Sequence, residues 1–99
     1  MTKKISMEVN GASIKLDYFV ESFVHHTVSG MIESLENTEP IKKLALTVDQ
    51  DKADIQLNGK TVSSNKFVNM IMKTTVFGMV APLKGVSTPV KEVKIGIEQ

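Results

Sequence analysis

The chain has 99 residues, no cysteine, and a formal net charge of +1 from 12 basic and 11 acidic residues. This length fits one domain, and the missing cysteines exclude disulfides and thiolate chemistry. All basic residues are lysines. Arginine is the usual bidentate partner of phosphate and guanine, so its absence makes nucleic-acid binding an unfavoured function.

The sequence repeats itself. Residues 10–36 align with residues 58–84 at a constant offset of 48, and one extra residue near Ser87 then raises the offset to 49. Such a repeat predicts one supersecondary unit used twice, in which each copy needs the other to bury its apolar face. We therefore predict a single domain built from two repeats, residues 1–50 and 51–99. Matching pairs include Asn10/Asn58, Gly11/Gly59, Phe19/Phe67, Gly30/Gly78, Leu35/Leu83, Pro40/Pro89 and Gln50/Gln99.

Each repeat opens with a strand and a tight turn. Apolar residues alternate before both turns, which is the period of a half-buried strand. An Asn-Gly pair follows at Asn10-Gly11 and Asn58-Gly59. This pair predicts a type I′ hairpin turn, because that turn needs positive φ at both central residues. Short return arms are expected at 13–16 and 61–63.

A helix is predicted next in each repeat. Asp17 and Asn65 suit the N-cap position, where a side-chain oxygen accepts a free backbone N–H. The helices are expected at 18–35 and 66–83, with exits at Glu36-Asn37 and Lys84-Gly85. Loops with Pro40 and Pro89 follow, and each repeat closes with an alternating strand. The inward residues are Leu44, Leu46 and Val48 in one copy and Val93, Ile95 and Ile97 in the other.

These elements predict an α+β protein. Two tandem β(β)αβ repeats are expected to form a ferredoxin-like antiparallel sheet with both helices on one face. The opposite face is expected to be wet, because polar residues alternate with the apolar ones. They are Ser6, Glu8, Thr47, Gln56, Lys94 and Glu98.

The second helix is more apolar than the first. The first has an apolar arc that includes Phe19 and Phe23, and a polar arc with Ser22, His25, Ser29 and Glu33 that we expect to face solvent. In the second, the matches of Ser22, Ser29 and Glu33 are Met70, Phe77 and Ala81. We predict that these three form a self-association surface, most simply a twofold dimer. A loop over residues 84–89 that folds across them is the alternative.

Gly30 and Gly78 recur in the middle of the helices, where glycine costs about 1 kcal/mol relative to alanine. We predict close packing of helix against helix or sheet at both positions. Backbone exposed to a ligand is the alternative.

The sequence predicts no catalytic residues, no metal site and no cofactor. His25 and His26 are adjacent and point about 100° apart on a helix, so they cannot share one metal ion. Asp49, Asp51 and Asp54 lack the glycine and closing glutamate of a calcium loop. No nucleophile motif or phosphate-binding loop is present.

The repeated phrase Asn-Gly, Phe-Val, Gly-Met and Leu is clearest at Asn58-Gly59, Phe67-Val68, Gly78-Met79 and Leu83. It resembles small prokaryotic proteins, mainly archaeal, that are largely uncharacterised. It is also similar to a segment appended to some archaeal molybdopterin-guanine dinucleotide biosynthesis B proteins. Their GTP-binding loop is absent here, so the resemblance implies only an accessory module that docks on partners or on itself.

We therefore predict a non-enzymatic interaction module that forms a homodimer through its second helix. The absence of a leader or an apolar span favours the cytoplasm and no membrane contact. The alternative is a small-ligand-binding domain that uses the wet sheet face or the Asn-Gly hairpins. A further protein partner is possible. An enzyme and a nucleic-acid module are the third and fourth hypotheses.

Overall fold

The computed structural model describes residues 4–35 and 39–99 and shows a two-layer α+β arrangement. The overall extents are 35 × 35 × 18 Å, which fits one sheet covered by one layer of helices. In chain order the elements are β1 (Lys4–Val9), β2 (Ala12–Ser13), α1 (Tyr18–Glu33), β3 (Lys43–Asp49), β4 (Ala53–Leu57), β5 (Lys60–Val62), α2 (Lys66–Val80) and β6 (Glu92–Glu98).

The six strands form one open sheet in the order β2-β1-β6-β3-β4-β5, and every neighbouring pair is antiparallel. The last long strand of each half, β3 or β6, lies in the centre. A ferredoxin-like sandwich instead has the first strand of each half there. The likeness to that fold therefore covers the layers and the order of elements, not the order of strands.

One face of the sheet is buried and the other is wet, as the alternation predicts. The helices supply Val24, Val28, Ile32, Met72, Val76 and Val80 to the same core as the buried strand residues, so both helices cover the same face. The buried strand residues are Met7, Val9, Leu44, Leu46, Val48, Ala53, Ile55, Leu57, Val93, Ile95 and Ile97. The six polar residues expected on the other face are all exposed or half-exposed.

The strand register is the same in both halves. Met7 pairs with Ile95 where β1 meets β6, and Ile55 pairs with Leu46 where β4 meets β3. Leu46 and Ile95 also pair with each other in the centre of the sheet. A rotation that exchanges β1 with β4 and β3 with β6 therefore preserves the pairing.

Both Asn-Gly turns have the predicted backbone conformation. The φ angles are 51° and 84° at Asn10 and Gly11, and 52° and 83° at Asn58 and Gly59. Positive φ at two successive residues is what a type I′ turn requires.

Each turn asparagine also binds the backbone of the other half, which the sequence did not predict. The side-chain oxygen of Asn10 accepts hydrogen bonds from the backbone N–H groups of Lys91 and Glu92, at 2.8 and 3.1 Å. Its amide nitrogen donates to the carbonyl of Pro89 at 3.1 Å.

Asn58 repeats this arrangement on the first half. Its oxygen accepts from the N–H groups of Lys42 and Lys43, both at 2.9 Å, and its amide nitrogen donates to the carbonyl of Pro40 at 2.9 Å. Together the two asparagines fix the start of β3 and of β6. We call these two sets of bonds the asparagine clamps.

Both helices end earlier than predicted. α1 stops at Glu33 instead of Leu35, where the hydroxyl of Ser34 donates to the carbonyl of Gly30 at 2.8 Å and competes with the helical bonding. α2 stops at Val80 instead of Leu83, because Pro82 has no N–H to continue the helix. The predicted helix exit at Lys84-Gly85 is therefore wrong: Gly85 has a φ of 84°, but it lies in the loop five residues beyond Val80. The other predicted exit, Glu36-Asn37, lies outside the described residues.

Candidate functional surface

The two helices begin in the same way. The N-cap side chains of Asp17 and Asn65 accept hydrogen bonds from the N–H groups of Val20 and Val68, each at 2.8 Å, as predicted. Both caps therefore satisfy a backbone donor that the first helical turn leaves free. The caps determine the first residue of each helix. The position of that residue determines which side chains face away from the sheet.

The helices carry all six large hydrophobic side chains that residues 4–35 and 39–99 expose. Their exposed fractions are Tyr18 92%, Phe19 72%, Phe23 49%, Phe67 62%, Met70 59% and Ile71 47%. The rings of Phe19 and Phe23 stack with centroids 6.0 Å apart. The six side chains form two groups, one at the start of each helix, and exposed apolar groups of this kind mark an interaction surface more often than scattered single residues do.

Each helix presents one line of residues directly away from the sheet. At about 100° per residue, positions spaced by four, three and four residues fall within about 60° of each other. On α1 this line is Phe19, Phe23, His26 and Gly30, and all four are exposed. We call it the α1 ridge.

The α2 ridge occupies the corresponding positions 48 residues later. It consists of Phe67, Ile71, Thr74 and Gly78, all exposed. This ridge carries no charged side chain, which is unusual for a helix face in water.

The side of α1 that faces the core differs from the prediction. Phe19 and Phe23 were expected inside, and both are exposed. His25 and Ser29 were expected in solvent, and both are buried at 8% exposure. The apolar arc of α1 is wider than the strip that one sheet face can cover, so its aromatic edge stays outside while two smaller polar residues at the other edge are covered.

His25 is accommodated by the last residue of the chain. Its Nε2 lies 2.9 Å from Oε1 of Gln99, and Nε2 of Gln99 donates to the carbonyl of Ile41 at 2.9 Å. Because Oε1 can only accept, Nε2 of His25 carries a proton. Nδ1 of His25 and Oγ of Ser29 are buried without a partner in the described residues.

His26 is placed differently, on the exposed α1 ridge. Its Nδ1 lies 2.9 Å from the carbonyl oxygen of Ser22, one turn earlier. The two histidines thus lie in different environments, consistent with their separate directions on the helix. Their rings make an edge contact with centroids 5.1 Å apart.

The three residues predicted for self-association do not share one environment. Met70 and Ala81 are exposed, beside the α2 ridge. Phe77 is half-buried and packs against the core. The exposed large apolar side chains of α2 are therefore Phe67, Met70 and Ile71, near its start, and a second exposed group lies on α1.

The close packing predicted at Gly30 and Gly78 is wrong for the described chain. A Cβ atom built at either glycine meets no atom within 4 Å beyond the neighbouring helix backbone. Both glycines lie on the outer ridges, where any side chain fits. Neither helix–helix nor helix–sheet contact inside the chain explains them.

Of the acidic residues near the inter-repeat turn, Asp49 stabilises the turn itself. Asp49 accepts hydrogen bonds from the N–H groups of Asp51 and Lys52 at 2.8 and 2.9 Å. These two bonds, with the charge of Lys52, lower the pKa of Asp49 from its ordinary value of 3.8. The described residues contain no cluster of three or more histidine, aspartate or glutamate side chains placed to hold a metal ion.

A cleft of about 510 Å³ lies between the start of α1 and the segment after α2. Val20 and Ile14 line one side and Leu83 and Gly85 the other. The start of α1 therefore lies beside the end of α2, and the two helices run antiparallel across the sheet.

Compared with known proteins, the chain matches no family model, no curated protein and no solved structure. The functional case therefore depends on the geometry of its own residues. Across the described residues, neither helix combines the length and the apolar content that crossing a membrane requires.

Proposed function

We propose that this protein is a non-enzymatic interaction module that self-associates through the exposed face of its helices. The observation that carries the proposal is the placement of all six exposed large hydrophobic side chains on α1 and α2. The polar residues of the sheet cover the opposite face. The proposed surface extends the predicted one, which lay on α2 alone, to both helices.

The exposed apolar area approaches that of one side of a dimer interface. With roughly 200 Å² for a fully exposed aromatic side chain and slightly less for methionine or isoleucine, the six side chains expose about 700 Å². A stable interface buries about 800 Å² on each partner. These side chains form two groups, roughly 400 Å² at the start of α1 and roughly 300 Å² at the start of α2, and each group alone is within the 300–600 Å² of the largest apolar patch on a typical monomer. The case for an interface therefore depends on both groups lying on the same face.

We also propose that the two halves are tandem copies of one β(β)αβ unit, in a ferredoxin-like layered arrangement with a changed strand order. The shared register, the paired Asn-Gly turns and the matching N-caps support this. The resemblance to archaeal accessory segments supports a docking role. The absence of cysteines fits the reducing cytoplasm, where disulfides are rare.

Sedimentation velocity at micromolar concentrations tests self-association. We expect a dimer for the natural chain and a monomer for Phe67→Ser/Ile71→Ser, because both side chains are exposed and contribute little to the monomer core. The matched control is Glu8→Ser/Lys94→Ser, a facing pair on the outer side of the sheet. We expect this control to remain a dimer.

Two results would overturn the proposal. A monomeric natural chain would show that the helix face has no second copy on it. A dimer that survives the helix double variant but is lost in the sheet double variant would place the interface on the wrong face.

The cleft beside β2 favours a second candidate, binding of a small ligand. Its volume lies within the usual range of about 300–1,000 Å³ for ligand sites, and its lining combines apolar residues with Lys15 and Lys84. The turn asparagines are occupied by the clamps, so the hairpin tips themselves are not free for a ligand. A thermal-shift screen of small carboxylates tests this, because a ligand that binds only the folded form raises the melting temperature.

A further inference from the structure

Gly30 and Gly78 are the least explained residues of the exposed helix face. Gly30 lies three residues before the end of α1 and Gly78 two residues before the end of α2, so both are in the last helical turn, where glycine still costs up to about 1 kcal/mol of helix stability relative to alanine. The space around both is open, so the fold of the single chain does not require glycine at either position. Glycine is the residue that lets another group approach the backbone closely.

The two ridges have the same taper. Each begins with large side chains, Phe19 and Phe23 on α1 and Phe67 and Ile71 on α2, and ends with a glycine. Because the helices are antiparallel, the large end of one ridge lies beside the glycine end of the other. The helix face thus has two raised corners and two low corners, with like corners on opposite diagonals.

Such a face is complementary to itself. When a second copy is turned over about a twofold axis lying in the plane of the face, its raised corners meet the low corners of the first. Both ways of placing that axis, along the helices or across them, bring aromatic side chains onto glycines. An isologous contact of this kind closes at two subunits.

We infer that the occupant of the helix face is a second copy of this chain, and that Gly30 and Gly78 are the points where the partner's aromatic side chains seat. This inference rests on the proposed self-association and specifies its geometry. The distance between packed helix axes is usually 8–10 Å and depends on the side chains at the contact. Glycine at the low corners allows the helix layers of the two copies to come closer than larger side chains would. The result is a four-layer dimer with sheets outside and helices inside.

Substitution of the glycines separates this inference from a simple apolar contact. The expected changes in monomer stability and in dimer affinity have opposite signs. In Gly30→Ala/Gly78→Ala, alanine improves helix propensity and fits the open space of the monomer. Placed on the monomeric Phe67→Ser/Ile71→Ser background, the double change is expected to raise the urea midpoint. In the otherwise natural chain it is expected to weaken the dimer.

The size of the added side chain provides a graded readout. We expect the dissociation constant, measured by sedimentation equilibrium, to rise roughly tenfold or more for Gly30→Leu/Gly78→Leu and by less for the alanine pair, because overpacking at a close contact is costly. Glu21→Ala is the matched control. Glu21 is exposed on α1 but lies well round the helix from the ridge, so the dimer should not change.

Each outcome has a distinct meaning. If the leucine pair dimerises as well as or better than the natural chain, the glycines are not contact points and the inference is overturned, while self-association itself stands. If the natural chain is monomeric at all concentrations, the proposed function fails and the inference fails with it.

Discussion

Asn10 and Asn58 have φ angles of 51° and 52°, and each uses its carboxamide to hold the backbone that leads into the last strand of the other half. The pair joins residues that are far apart in sequence. The bond from Asn10 to Glu92, for example, spans 82 positions. The clamps therefore add side-chain bonds at the points where the backbone N–H groups of Asn10 and Asn58 already donate to the carbonyls of Glu92 and Lys43, at 2.8 and 2.7 Å.

The first prediction concerns these clamps. Asn10→Gly and Asn58→Gly keep a residue that accepts positive φ but remove the carboxamide. Asn10 makes five side-chain hydrogen bonds to the other half and Asn58 makes four. Because all of them are lost, we expect the free energy of unfolding to fall by roughly 1–3 kcal/mol in either variant. Urea denaturation measures this. Glycine variants as stable as the natural chain would show that the clamps contribute nothing.

The second prediction concerns Gln99. Removing its side chain leaves Nε2 of buried His25 and the carbonyl of Ile41 without their partner. We expect Gln99→Ala to lower the free energy of unfolding by about 1–3 kcal/mol, the cost of an unsatisfied buried polar group. Glu98→Ala is the neighbouring control, and it should change little because its ion pair with Lys43 is exposed and 3.9 Å long. Equal effects of the two variants would contradict the assignment.

The third prediction concerns the pH dependence of the inter-repeat turn. The N–H groups of Asp51 and Lys52 lower the pKa of the Asp49 carboxyl group below 3.8. A folded-state pKa below the unfolded one stabilises the fold at pH values above the unfolded pKa, and this contribution is lost as the pH falls through the folded pKa. We therefore expect the turn to be fully stabilised above about pH 4–5 and to weaken in stronger acid.

Carbon-detected NMR titration of the Asp49 carboxyl group measures that pKa directly. Asp49→Asn keeps an oxygen acceptor but cannot titrate, so it should remove this part of the acid sensitivity. A carboxyl group that titrates at its ordinary value would contradict the prediction.

The fourth prediction concerns the helix caps. Asn65→Asp retains the acceptor for the N–H of Val68 and adds a negative charge at the positive end of the α2 dipole. We expect a gain of about 0.3–1 kcal/mol in unfolding free energy. Asp17→Asn on α1 should lose a similar amount. The opposite signs, measured by urea denaturation, form the check.

The sequence predicts the local elements well because their signals are local. The Asn-Gly pairs require positive φ, Asp17 and Asn65 are strong N-caps, and alternating strands identify the buried face of the sheet. All of these depend on residues within a few positions of each other. The early end of α1 is not predicted because Ser34 acts through a hydroxyl bond that the apolar pattern does not report.

The candidate surface could be predicted only in part, because it depends on which strip of each helix the sheet covers. Phe19 looks like a core residue on a helical wheel, and His25 looks like a surface residue. The burial of His25 is accompanied by a hydrogen bond to Gln99, which is 74 positions away. Contacts at that separation follow from the strand order, which the repeat does not specify.

The symmetric clamps hold the two halves together independently of the covalent link between them. The turn at Asp49–Lys52 is the covalent link between two halves that already bind one another through β3, β6 and both asparagines. A backbone cut there should leave fragments 1–50 and 51–99 that recombine into the native sheet. Each fragment would keep one clamp asparagine and one central strand, so neither completes the six-stranded sheet without the other.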